Sequence, residues 1–88
     1  MSRRVAVSET AARQLRKLPR EARDRIKRGL RVLEDDPFRH RPRAEIQPLE
    51  GTEPRKYRIR IGDYRVVYAV VGDEVKVIEV FVRGRGYR

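Results

Sequence analysis

The stretch YRIRIGDYRVVYAVVGDEVKVIEVFV, residues 57–82, decides the fold. Valine, isoleucine and tyrosine dominate it, and such β-branched and aromatic side chains suit the pleated, half-buried surface of a sheet. Two dipeptides interrupt it, Gly62-Asp63 and Gly72-Asp73. Each stands where a two-residue hairpin loop needs glycine for its backbone angles. The expected product is a three-stranded antiparallel meander with strands at 57–61, 64–71 and 75–82. With Gly62 and Asp63 as the loop, Ile61 opposes Tyr64, Arg60 opposes Arg65, Ile59 opposes Val66 and Arg58 opposes Val67. Side chains alternate across a strand, so Arg58, Arg60 and Arg65 share one face. Tyr57, Ile59, Ile61, Tyr64 and Val66 take the other, the face suited to a core.

Residues 37–48, which precede this stretch, hold three of the five prolines, at 37, 42 and 48, with Arg39, His40, Arg41 and Arg43 between them. That composition reads as a loop. His40, solitary among arginines, reads as a solvated side chain rather than a general base, and stays outside the candidate site. Further back, Ala22, Ile26, Leu30 and Leu33 form one apolar helical stripe that ends at Asp35-Asp36-Pro37. Ala11, Leu15 and Leu18 form another, opened by Ser8-Glu9-Thr10 and closed by Pro19. Val5 and Val7 alternate with smaller or polar neighbours in a short first strand. The order is β-α-α-β-β-β without internal repeats. The expected fold is α+β, a helical hairpin packed on a small, mainly antiparallel sheet, forming one domain over residues 1–88.

Composition narrows the function. Hydrophobic residues make up 39% of the 88 and charged ones 41%, which implies a thin core under a charged coat. Lys and Arg number 23 against 13 Asp and Glu, a net charge of +10 that favours a polyanionic partner and also suits an acidic protein. Solubility, or a general bias to arginine, accounts for some of this charge, since 19 of the 23 basic residues are Arg. Neither explains arginines gathered on one sheet face. Cysteine is absent and there is one histidine, which excludes disulfides, thiolate metal sites and histidine clusters. No metal or cofactor is expected. The opening Met-Ser-Arg-Arg-Val-Ala-Val is followed by no apolar run of signal-peptide length, and no window approaches a membrane span, so the expected location is the cytoplasm.

Arg60 facing Arg65 costs stability, since like charges directly opposite repel by ~0.2–1 kcal/mol. An anion offsets that cost, and arginine's planar fork matches the oxygens of phosphate. The cluster therefore suits the backbone of RNA. Ion pairs to Glu74, Glu79 or Asp63 are the plainer alternative, but these acids are too few for all the arginines. The tail adds Arg83, Arg85, Tyr87 and Arg88, interleaved with Gly84 and Gly86. A tyrosine there either packs on the sheet edge or offers a ring for stacking on a base and a hydroxyl for proton transfer.

Leu49-Glu50-Gly51, the run YRIRIGDYRVVY at 57–68 and the ending VRGRGYR at 82–88 resemble the RelE family of toxin–antitoxin systems, with most likeness to its short archaeal members. The resemblance covers nearly the whole chain, with its specific motifs in residues 49–88. It implies a ribosome-dependent endoribonuclease that cuts messenger RNA without a metal and is silenced by a RelB-type antitoxin. By the same resemblance, Arg58 and Arg60 occupy the family's two basic strand positions, Arg65 the arginine of its G-x-Y-R segment, Arg83 or Arg85 its tail arginine, and Tyr87 its terminal tyrosine. Two features depart from the pattern. Arginines replace lysines in the strand, which suits them to electrostatic clamping rather than proton transfer. Glu50 stands where some members carry a basic residue. The alternatives are a ParE-like toxin that binds gyrase without catalysis, and a noncatalytic RNA-binding module.

Overall fold

The computed structural model describes residues 3–82, in which five strands and three helices follow one another as β1 (Arg4–Val7), α1 (Glu9–Arg16), α2 (Arg20–Leu30), α3 (Val32–Asp35), β2 (Glu45–Leu49), β3 (Lys56–Ile61), β4 (Tyr64–Val71) and β5 (Glu74–Val82). The strands form one sheet in the order β1-β5-β4-β3-β2, antiparallel except where β1 runs parallel to β5. The architecture is α+β, a helical hairpin on a mainly antiparallel sheet.

Local chemistry sets each boundary. The Ser8 hydroxyl accepts from the Ala11 N–H at 3.0 Å, which caps α1, and donates to the Ile78 carbonyl at 2.9 Å. Ile78 is the residue of β5 skipped by the register, which pairs Val67 with Glu79 and Tyr68 with Val77. A β-bulge leaves such a residue outside the ladder, and the serine satisfies its carbonyl. Gly62 and Gly72 turn the two hairpins at φ 60° and 58°, and among the described residues only glycines have positive φ. Glycine at the first loop position, followed by a residue of negative φ, is the type II′ turn that matches strand twist.

The helices differ from expectation in one place. The second helical stripe is split at Arg31, whose N–H reaches back three residues to the Arg28 carbonyl at 3.3 Å, so that α2 and α3 are separate. Close packing accompanies the break. A Cβ added to Gly29 would lie 2.7 Å from Cδ1 of Ile61, so glycine there lets α2 settle against β3.

The second difference is β2. Residues 37–48 were expected to be loop, yet Glu45–Leu49 pairs with β3, Glu45 opposite Arg60 and Gln47 opposite Arg58. Pro48 argues against a strand because it has no N–H to donate. At the edge of a sheet it leaves no ladder bond unmade, and β2 is an edge strand.

The core lies between sheet and helices. Ile26, Leu30 and Leu33 meet Ile59, Ile61, Val66, Tyr68, Val75, Val77 and Val80, all buried, with Tyr57 and Tyr64 packed at its margin. The β3–β4 register is Ile61 to Tyr64, Arg60 to Arg65, Ile59 to Val66 and Arg58 to Val67. One face of the hairpin is thus committed to the core, and the arginines project from the other.

Candidate nucleic-acid interface

Arg58 and Arg60 of β3 and Arg65 of β4 line a single open pocket of about 290 Å³, together with His40, Glu45, Ile46 and Gln47. Strand alternation brings the arginines together, and β2 walls the pocket on its outer side. Arg58 Nη2 donates to Gln47 Oε1 at 2.6 Å. Arg60 Nη1 lies 4.0 Å from Glu45 Oε1, and its Nε donates weakly to the Gly62 carbonyl at 3.4 Å. Both members of the Arg60–Glu45 pair are about half exposed, at 42% and 52% of side-chain area. Such a pair is worth ~0–1 kcal/mol, so Glu45 only partly offsets the positive charge.

Glu45 and Gln47 were missed in the sequence because residues 37–48 read as loop, and His40, which reads there as a solvated side chain, lines the pocket. Pro42 is the one available signal, as proline favours the second position of a turn. The structure turns there, with Arg41 and Ala44 exchanging backbone hydrogen bonds of 3.0 and 2.9 Å.

This loop is held at several points. Asp36 Oδ1 accepts from the N–H groups of Phe38 at 2.9 Å and Arg39 at 3.2 Å. The Phe38 backbone bond is the main cause holding the Asp36 carboxyl below its ordinary value, with burial opposing it. The Arg41 guanidinium donates to three carbonyls, those of Asp36 at 3.0 Å, Arg39 at 2.6 Å and Val32 at 3.0 Å. Beneath them the buried Tyr68 hydroxyl donates to the Pro37 carbonyl at 2.6 Å, and the Tyr68 ring stacks on Tyr57 at 5.7 Å. Burial raises the Tyr68 pKa far above that of a free phenol, which keeps it a donor. His40 lies 3.1 Å from the Ile46 carbonyl through Nδ1.

Arg83, Arg85 and Tyr87 lie outside the described residues. Among the described residues no group of three or more His, Cys, Asp or Glu side chains is placed to hold a metal ion, and no helix is long and apolar enough to cross a membrane.

The chain is similar in sequence and structure to a set of bacterial and archaeal toxins. A family model described as the ParE toxin of the type II toxin–antitoxin system matches residues 5–87. Toxin RelE of Mycobacterium tuberculosis is 33% identical over 86 residues, covering 96% of this chain and 84% of that protein. The chain belongs to the RelE/ParE family of toxins. In the archaeal RelE–RelB complex from Pyrococcus horikoshii, the matching chain superposes on the toxin with a TM-score of 0.80 at 32% identity, covering 98% of this chain and all of that one. The toxin–antitoxin complex RelBE2 from Mycobacterium tuberculosis contains a chain that matches with a TM-score of 0.74 at 25% identity, over 94% of this chain and all of that one. The toxin's five-stranded sheet and helical hairpin are therefore the family's fold, with the arginine pocket on its open face.

Proposed function

We propose that this toxin is a ribosome-dependent endoribonuclease that cuts messenger RNA in the cytoplasm, inhibits translation and is neutralised by a RelB-type antitoxin. The observation that carries the reading is the convergence of Arg58, Arg60 and Arg65 on one pocket open to solvent. The 2′-oxygen of a nucleotide attacks the adjacent phosphorus, the bond from phosphorus to the 5′-oxygen breaks, and a 2′,3′-cyclic phosphate and a 5′-hydroxyl result. Negative charge accumulates on the phosphoryl oxygens in the transition state, where the three guanidinium groups stabilise it. Removing one preorganised donor of this kind costs ~3–4 kcal/mol of barrier in enzymes generally. Tyr87, with Arg83 or Arg85, assists proton movement at the reacting oxygens.

The solved relatives from Pyrococcus horikoshii and Mycobacterium tuberculosis are toxin–antitoxin complexes, and a net charge of +10 suits an acidic antitoxin. In this reading cationic side chains carry the charge that a metal carries elsewhere. A phosphorothioate at the cleaved position should therefore show no rescue by manganese.

A translation extract carrying a reporter message, read by primer extension, tests the whole proposal. Discrete breaks within codons that appear only while ribosomes translate support it. A second reading, a ParE-like toxin that binds gyrase without cleaving RNA, is favoured by the family model, which is described as the ParE toxin of a type II toxin–antitoxin system. Inhibited supercoiling with an intact message identifies that activity instead.

A further inference from the structure

The proposed cleavage lacks a proton acceptor among the arginines, because guanidinium groups stay protonated. The pocket contains another kind of group. His40 lines it beside Arg58, Arg60, Arg65 and Glu45. A backbone carbonyl can only accept, so the 3.1 Å contact with Ile46 places the ring proton on Nδ1 of the neutral imidazole. Nε2 is then left as a lone-pair acceptor on a ring whose orientation is held. The surrounding loop restrains it further, through the three carbonyls on Arg41 and the buried bond from Tyr68 to Pro37. A freely solvated histidine has no need of these constraints, whereas a proton-transfer group depends on them.

We infer that His40 is the general base of this site, its Nε2 removing the 2′-hydroxyl proton as the oxygen attacks phosphorus. The inference rests on the ribonuclease reading and deepens it. The electron pair of the 2′-O–H bond forms the new bond to phosphorus, and the proton moves to Nε2. The bond to the 5′-oxygen breaks, and that oxygen takes a proton from solvent water. Loss of the proton from Nε2 to solvent then restores the imidazole. The ring is placed on the face where the arginines neutralise phosphate, so attacking group and charge stabilisers share one pocket.

The charged groups that line the pocket with the ring are Glu45 on β2, Arg58 and Arg60 on β3, and Arg65 on β4.

The test is single-turnover cleavage of messenger RNA on programmed ribosomes, measured across pH. His40→Asn retains an N–H donor for the Ile46 carbonyl and removes the basic nitrogen. It should cleave ~10²–10³-fold more slowly, with a pH profile that differs from the wild type's, while binding ribosomes normally. His40→Ala should recover part of its activity with added imidazole, a response that a purely structural histidine does not give. If the wild type cleaves and His40→Asn matches it in rate and pH profile, the assignment of the base is overturned and the ribonuclease reading stands. If the wild type does not cleave on ribosomes at all, both fall.

Discussion

Arg60 stands directly across from Arg65 in the β3–β4 hairpin, two like charges at one register position of a sheet. Glu45 approaches Arg60 from β2 only to 4.0 Å, in an exposed pair. Such a pair contributes ~0–1 kcal/mol, close to the ~0.2–1 kcal/mol of repulsion between opposed like charges. Stability is therefore not what the arrangement serves. Arg60→Ala and Arg65→Ala should each melt at or slightly above the wild-type temperature. A fall of ~4–8 °C, equivalent to ~1 kcal/mol for a domain of this size, contradicts that account.

The Tyr68 hydroxyl holds the loop that carries His40, through the carbonyl of the buried Pro37. Tyr68→Phe leaves this acceptor unsatisfied, and the expected loss is ~1–3 kcal/mol in chemical denaturation. The phenol's raised pKa adds a pH dependence. A group whose folded pKa is raised contributes stability that is complete below its unfolded value, here 10.0, and is lost as pH rises beyond it. Alkaline unfolding should consequently be shallower in Tyr68→Phe. Equal stability at neutral pH shows that the bond is not a tether.

Asp36 provides the opposite limb. Its carboxyl is held below the ordinary 3.8, chiefly by the Phe38 N–H. A depressed folded pKa gives stability that is complete above 3.8 and is lost as pH falls through the lower folded value. Denaturant midpoints of wild type and Asp36→Ala should differ at neutral pH and converge in acid. A gap that stays constant with pH removes the carboxylate from the account.

The hairpin that carries the arginines was legible because Gly62-Asp63 defines a two-residue loop, and loop length fixes register in a period-two strand. The apolar stripe of α2 was legible for a similar reason, its spacing at Ala22, Ile26 and Leu30 being local. β2 was not, since Pro48 contradicts a strand and only Ile46 and Leu49 supply strand-like apolar side chains. Its place comes from pairing with β3, a property of the whole sheet. The setting of His40 was hidden for the same reason, because Tyr68 lies 31 residues from Pro37 and the Arg41 guanidinium finds its acceptors only after the loop folds back. Arg83, Arg85 and Tyr87 were assigned from resemblance, and residues 83–88 lie outside the described structure.

The proposed antitoxin should hold by more than charge. Phe38, Val7, Val71 and Val82 are exposed by 41–51%, apolar area that a partly helical acidic partner can cover. A complex formed in low salt should therefore persist at about 0.5 M salt, where the screening length shrinks to roughly 4 Å. Complete dissociation there, measured by size exclusion or titration calorimetry, means that charge alone joined the two.

The arginine face is tested most directly by the cleavage rate on programmed ribosomes for Arg60→Ala and Arg65→Ala, beside Arg23→Ala on α2 as control. Both sheet variants should remain folded and bind ribosomes, yet cleave slower by ~10²-fold or more, the cost of one lost transition-state donor. Arg23→Ala should cleave as the wild type does. If both sheet variants cleave as fast as Arg23→Ala, the arginines of β3 and β4 do not stabilise the reacting phosphate, and the proposed site is wrong.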